Sequence, residues 1–152
     1  MSAPGKPSQC RPVAKKVLIV EDDPSLVDLL LLVFEERGYQ VRTESNGVGV
    51  LDAVRRFRPD VITLDLGLPD LDGQTVLYQL SEDAEGQRIP VVVVSAFADE
   101  LQPTPQVSAV LGKPFDLSCL LQTIANVIDG KNSQTALADH SLPPHKRARP
   151  SR

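Results

Sequence analysis

Charged and hydroxyl side chains stand directly behind short apolar runs in this sequence, and that placement is what chemistry requires. Glu21, Asp22 and Asp23 follow VLIV (17–20), and Asp65 follows VITL (61–64). Ser95 follows VVVV (91–94), while Gly112, Lys113 and Pro114 follow VSAVL (107–111). Glu44 and Ser45 close the run YQVRTE (39–44). Carboxylates gathered in a cleft of low dielectric cannot all stay ionised unless something compensates them. Either some take up protons or a cation joins them. Hard oxygen ligands favour Mg²⁺ (or Mn²⁺), which keeps several waters and tolerates a phosphate oxygen as a further ligand. The remaining groups suit phosphoryl transfer to a carboxylate. Asp65 is then the nucleophile, the metal and Lys113 neutralise the equatorial oxygens, and Ser95 donates a hydrogen bond.

Those residues converge only if the elements before them are parallel strands, and the pattern says so. After VLIV come acids and then Pro24, a strand, a turn and a helix start, with Asp22 or Asp23 as cap and Pro24 at the first helical position. Residues 24–37 carry Leu26, Leu29, Leu30, Val33 and Phe34 on one stripe and stop at Gly38. Val27, Leu31 and Leu32 widen that stripe, so the helix has apolar surface for cover on more than one side. Residues 39–44 alternate as a strand, and Val48 to Phe57 is helical, ending near Pro59. VITLD forms the next strand and Gly73 to Glu82 the next helix. VVVV reads as a central strand, apolar on both faces, and 107–111 as a last short strand. Residues 116–129 repeat Leu117, Leu120, Leu121, Ile124, Val127 and Ile128 at three-four spacing. Alternating strands and helices imply a parallel sheet covered on both faces. Ligands of such sheets sit outside the carboxyl ends of the strands, where the charged residues stand.

Four motifs in order, LIVEDDP (18–24), TLDLGLPDLDG (63–73), VVSA (93–96) and GKPF (112–115), resemble the receiver domain of two-component response regulators. The resemblance covers about residues 15–130. It implies an α/β fold: a doubly wound, flavodoxin-like, five-stranded parallel sheet of strand order 2-1-3-4-5. It implies Asp65 as phosphoacceptor, with a histidine kinase or histidine phosphotransfer protein as donor. Glu21 and Asp22 match the family's acidic pair. Asp22, Asp65 and the backbone carbonyl of Gly67 match its metal ligands, with Glu21 acting through a bound water. Ser95 matches the switch hydroxyl and Lys113 the lysine before a proline, a peptide bond commonly cis in that family. The resemblance thus describes an autocatalytic phosphoacceptor rather than a turnover enzyme. Each residue also has a structural role open to it, such as capping a helix, opening a turn or satisfying a backbone group. Those roles taken singly leave the coincidence of four strand ends unexplained.

Two features depart from the family. Between Ser95 and Lys113, where receivers place their fourth helix, Pro103 and Pro105 remove donors and disfavour helical geometry before them. One turn at Asp99 to Gln102 is the most that fits, so that helix is expected short, irregular or missing. Val110 occupies a position often held by Tyr or Phe, and valine has one stiff torsion and no ring to swing. Relay is then expected to pass through the proline-rich segment itself, as an order–disorder change. Gly67 and Phe97 flank the site. With no side chain at 67 to orient a water and Phe97 as a shield, the aspartyl phosphate is expected to decay slowly.

The remaining composition bounds the other readings. A chain of 152 residues with 41% hydrophobic and 24% charged residues holds one domain and tails. We divide it into an N-terminal arm (1–14), a receiver (15–130) and a basic tail (131–152), both ends expected to be disordered. No apolar run approaches the ~20 residues of a membrane span, and no apolar segment follows the N-terminal basic residues, so the expected setting is cytoplasmic. Cys10 and Cys119 make no disulfide framework and read as plain thiols. The net charge of −4 is segregated: residues 17–130 hold 19 acids and 7 bases, or −12. Phosphate repels such a body, which argues against nucleic-acid binding. Only a short polar tail follows Gly130, so no DNA-binding domain is expected and output falls to an unknown partner protein. The apolar faces at 26–34 and 116–129 leave a homodimer open. Two other classes compete. One is a pseudo-receiver acting as a phosphorylation-independent interaction module. The other is a haloacid-dehalogenase-like phosphatase, which keeps its nucleophile after the first strand with another Asp two residues on; here that second position is Gly67.

Overall fold

The computed structural model describes residues 13–102 and 104–130. Five strands form one parallel sheet: β1 (Lys16–Val20), β2 (Gln40–Glu44), β3 (Val61–Leu64), β4 (Val91–Ser95) and β5 (Val107–Gly112). Their order is β2-β1-β3-β4-β5, the doubly wound arrangement that the resemblance implies. Four α-helices cover it: α1 (Pro24–Glu36), α2 (Val50–Phe57), α3 (Gly73–Ser81) and α4 (Leu117–Ile128).

The period of two along each central strand divides the core into two layers. Leu18, Val20, Ile62, Leu64, Val91 and Val93 face α2 and α3. Val17, Ile19, Val61, Val92 and Val94 face α1 and α4, where Leu30, Phe34, Leu120 and Ile124 meet them. Strands buried on both faces are dominated by apolar residues, as VLIV and VVVV are, with Thr63 the buried polar residue inside β3. The broad stripe of α1 is only partly covered: Leu30 and Phe34 are buried, while Leu29 and Leu32 lie 42% and 57% exposed.

Local chemistry sets the helix ends. The Asp23 carboxylate accepts the Ser25 N–H at 3.0 Å and Pro24 opens α1. Gly38, at φ +91°, supplies the left-handed turn beyond the last helical residues. Helix α2 starts at Val50, two residues later than its apolar pattern predicts. The Asp70 carboxylate takes the Gly47 and Val48 N–H groups at 2.8 and 3.0 Å and holds them outside the helix. Helix α3 is capped by Asp72, which accepts the Thr75 N–H at 2.9 Å. Gly73 is needed where it stands, since a Cβ there would lie 2.6 Å from Leu66 Cα.

The crossover from β4 to β5 is the thin part of the molecule. The expected short fourth helix is a three-residue 3-10 turn, Ala98–Glu100, and the β4–β5 register is irregular at Val91/Val92. Pro105 lies in the turn that leads into β5; Pro103, residues 1–12 of the N-terminal arm and the whole basic tail lie outside the described residues. A second 3-10 turn, Gly86–Arg88, precedes β4 and has no signal in the sequence pattern. Among the described residues, no helix is long and apolar enough to cross a membrane.

Candidate phosphoacceptor site

Glu21, Asp65 and Lys113 sit on the residue just beyond a strand, Ser95 on the last residue of one and Asp22 two residues beyond β1, so a rigid parallel sheet aims them all at one edge. The β1 ladder continues one step past Val20, where the Glu21 N–H donates to the Glu44 carbonyl at 3.0 Å and the Asp65 N–H to the Val20 carbonyl at 3.0 Å. Lys113 is fixed in the same way, its N–H donating to the Ser95 carbonyl at 3.1 Å. The Lys113–Pro114 peptide bond is cis.

Asp65 is 7% exposed and Glu21 3% exposed. The Lys113 ammonium bridges them, donating to Glu21 Oε1 at 2.9 Å and to Asp65 Oδ2 at 3.3 Å. The other Asp65 oxygen, Oδ1, accepts the Gly67 N–H at 3.0 Å. Glu21 Oε2 accepts the Asp23 N–H at 3.2 Å. Asp22 is exposed, and carboxylate oxygens of Glu21, Asp22 and Asp65 lie within 4.8 Å of one another. Ser95 is fully buried, and its hydroxyl oxygen accepts the Phe97 N–H at 3.0 Å.

The electrostatics separate the two buried carboxyls. Burial opposes charge on Asp65, but the Gly67 N–H, the Ser95 hydroxyl and the Lys113 ammonium outweigh it and hold the carboxyl below its ordinary range. At Glu21 burial prevails over the Lys113 hydrogen bond, and the Asp65 charge adds to it, so that carboxyl is raised. Burial pushes the Lys113 ammonium down, yet the Glu21 hydrogen bond and the charges of Glu21 and Asp65 carry it above its usual value. One ammonium among three clustered carboxylates leaves a deficit of positive charge, and the donors are all hard oxygens. That set fits a small divalent cation better than a soft one.

Glu44 and Asp23, the other acids at strand ends, stand outside this cluster. The Glu44 carboxylate lies against Gly49, where a Cβ would be 2.4 Å away, and Asp23 caps α1. Val110 packs half-buried against the α2/α3 layer of the core. Phe97 is 48% exposed and closes over Gly67 so tightly that a Cβ at 67 would lie 2.8 Å from its ring. Beside them runs a groove of about 350 Å³ between the start of α3 and the crossover turn, lined by Leu66, Gly67, Asp72, Phe97, Glu100 and the Gln74–Gln102 pair. Those glutamines escaped the sequence reading. The Gln102 N–H donates to Gln74 Oε1 at 3.0 Å across 28 residues, a contact with no periodic or motif signal.

Residues 17–125 match the response regulator receiver domain family. The polar-differentiation response regulator DivK of Brucella anthropi is 34% identical over 75% of this chain and 96% of its own length. Sporulation initiation phosphotransferase F of Bacillus subtilis is 30% identical over 78% and 98%. Among solved structures, the receiver domain of a sensor histidine kinase from Pseudomonas aeruginosa, with a magnesium ion coordinated in its active-site cleft, superposes with a TM-score of 0.70 at 26% identity, over 77% of this chain and 99% of that one.

Proposed function

The chain belongs to the response regulator receiver domain family, and from that premise we propose that Asp65 accepts a phosphoryl group from a histidine kinase or histidine phosphotransfer protein. An oxygen of the Asp65 carboxylate attacks phosphorus in line, the donor's imidazole nitrogen leaves, and a mixed anhydride forms. The observation that carries this reading is the state of Asp65: buried at a strand end, held ionised by Gly67 and Lys113, and so poised as a nucleophile. Lys113 then balances charge on the transferred oxygens and the Ser95 hydroxyl donates to one of them. Glu21, Asp22, Asp65 and the Gly67 carbonyl would hold Mg²⁺ (or Mn²⁺), which supplies further charge neutralisation when bound. The clustered carboxylates and the magnesium in the Pseudomonas relative's cleft support that assignment.

The receiver unit is residues 15–130, set in the cytoplasm where its donors work, and its output is the docking of a partner protein on the phosphorylated form. Phe97 closes over Gly67, which carries no side chain to orient an attacking water, so the acyl phosphate decays slowly; a half-time of seconds would refute this. Incubation with a phosphorylated histidine phosphotransfer domain should move label to the wild-type chain and not to Asp65→Asn. The three-residue crossover turn favours the pseudo-receiver as second reading. Equal partner capture by the wild type and Asp65→Asn, with no label on either, would establish it instead.

A further inference from the structure

We propose that residues 142–149 of this same chain, LPPHKRAR, dock in the groove between α3 and the crossover turn. The inference is independent of the phosphoacceptor reading. The groove offers apolar wall from Leu66 and the half-exposed ring of Phe97, and an acidic rim from Asp72 and Glu100. The crossover beside it is a three-residue turn with no buried residue. An aromatic wall beside carboxylates suits a proline-containing basic segment: the prolines lie on the ring and the cations meet the acids.

The charge balance points the same way. Residues 17–130 carry −12, whereas residues 131–152 hold five Lys/Arg against Asp139. The basic groups are concentrated at Lys146, Arg147 and Arg149, directly after Leu142, Pro143 and Pro144.

Reach is sufficient. Ile128, the last residue of α4, packs with Tyr39 against the α1/α4 layer of the core, so the described chain ends on the face of the sheet away from α3. A five-residue strand is roughly 17 Å long. Residues 131–141 can extend to about 36 Å at ~3.3 Å per residue, about twice that length. Tethering supplies an effective concentration on the order of millimolar, so a weak contact suffices to keep the groove filled.

The test uses the full ¹⁵N-labelled chain and compares it with the variant Lys146→Glu/Arg147→Glu/Arg149→Glu. Amide shift differences are expected at Gly67, Gln74, Phe97, Glu100 and Gln102, and they should vanish in about 0.5 M salt, where screening is strong. Glu100→Lys alone should abolish them, and joining it to the triple variant should restore the wild-type pattern in part. Differences confined to residues 131–152, or spread evenly over the acidic surface, would overturn the proposal. Loss of the wild-type pattern on tenfold dilution would also overturn it, by assigning the groove to the tail of a second copy.

Discussion

The crossovers on either side of β4 solve the same problem with different means. From β3 to β4 the chain uses α3, whose Val76, Leu77 and Leu80 are buried against the sheet. From β4 to β5 it uses one 3-10 turn, in which no residue is buried. The thin side is held by polar groups instead. Gln106 Nε2 donates to the Gly86 and Ile89 carbonyls at 2.7 and 3.0 Å, Gln102 bonds Gln74, and Phe97 bonds Ser95. The lesson is that a parallel sheet edge can be kept in place without a full helix when side chains bond backbone groups of the crossover and of the segments beside it. The two sides also differ in what would release them. Hydrophobic packing yields only to unfolding, whereas a few hydrogen bonds can be exchanged.

The largest contrast should appear in core truncations. Leu80→Ala, at a fully buried position, should cost about 2–5 kcal/mol in urea unfolding. Leu101→Ala, half-buried on the thin crossover, should cost under about 1 kcal/mol, in line with its smaller burial. Equal losses would remove the distinction. Next comes Gln106→Ala, which deletes two bonds and leaves the Ile89 carbonyl without its side-chain donor, while the Gly86 carbonyl keeps the Ile89 N–H; it also removes a buried Gln106 Oε1 that has no partner. A net loss of about 1 kcal/mol is expected, with faster amide exchange at residues 104–108 and unchanged exchange in α3.

Acid should act on the thick side alone. Asp83 accepts from Arg55 and from the Glu85 and Gly86 N–H groups. The Arg55 hydrogen bond, followed by that from Gly86, holds its carboxyl below the ordinary range. A folded-state pKa lower than the unfolded one means stability that is complete above the unfolded value and lost as pH falls through the folded one. Protection of residues 82–89, relative to intrinsic amide exchange at each pH, should therefore fall in that acid window, and Asp83→Asn should remove the step. The glutamine-held crossover has no carboxylate in its braces and should show no such step.

Much of this architecture is legible in the residues themselves, for a physical reason. Strands buried on both faces are mostly apolar runs, so VLIV, VITL (with its one buried hydroxyl, Thr63) and VVVV announce the sheet. Its topology then sends Glu21, Asp65, Ser95 and Lys113 to one edge. What stays illegible depends on contacts between distant segments. The start of α2 at Val50 is decided by Asp70, some 20 residues downstream, and nothing in LPDLDG distinguishes that acid from a solvated turn residue. The bonds of Gln74, Gln102 and Gln106 leave no pattern either, because an amide in a loop reads the same whether it braces a crossover or faces water.

Asp65 is the group on which phosphoryl acceptance depends, and intact-mass spectrometry after incubation with acetyl phosphate addresses it most directly. The wild-type chain should gain the mass of one phosphoryl group only when magnesium is present. Chelation should prevent the gain, Asp65→Asn should abolish it, and Lys113→Ala should slow it severely. Labelling that persists in Asp65→Asn, or that proceeds equally well without a divalent ion, would contradict the account.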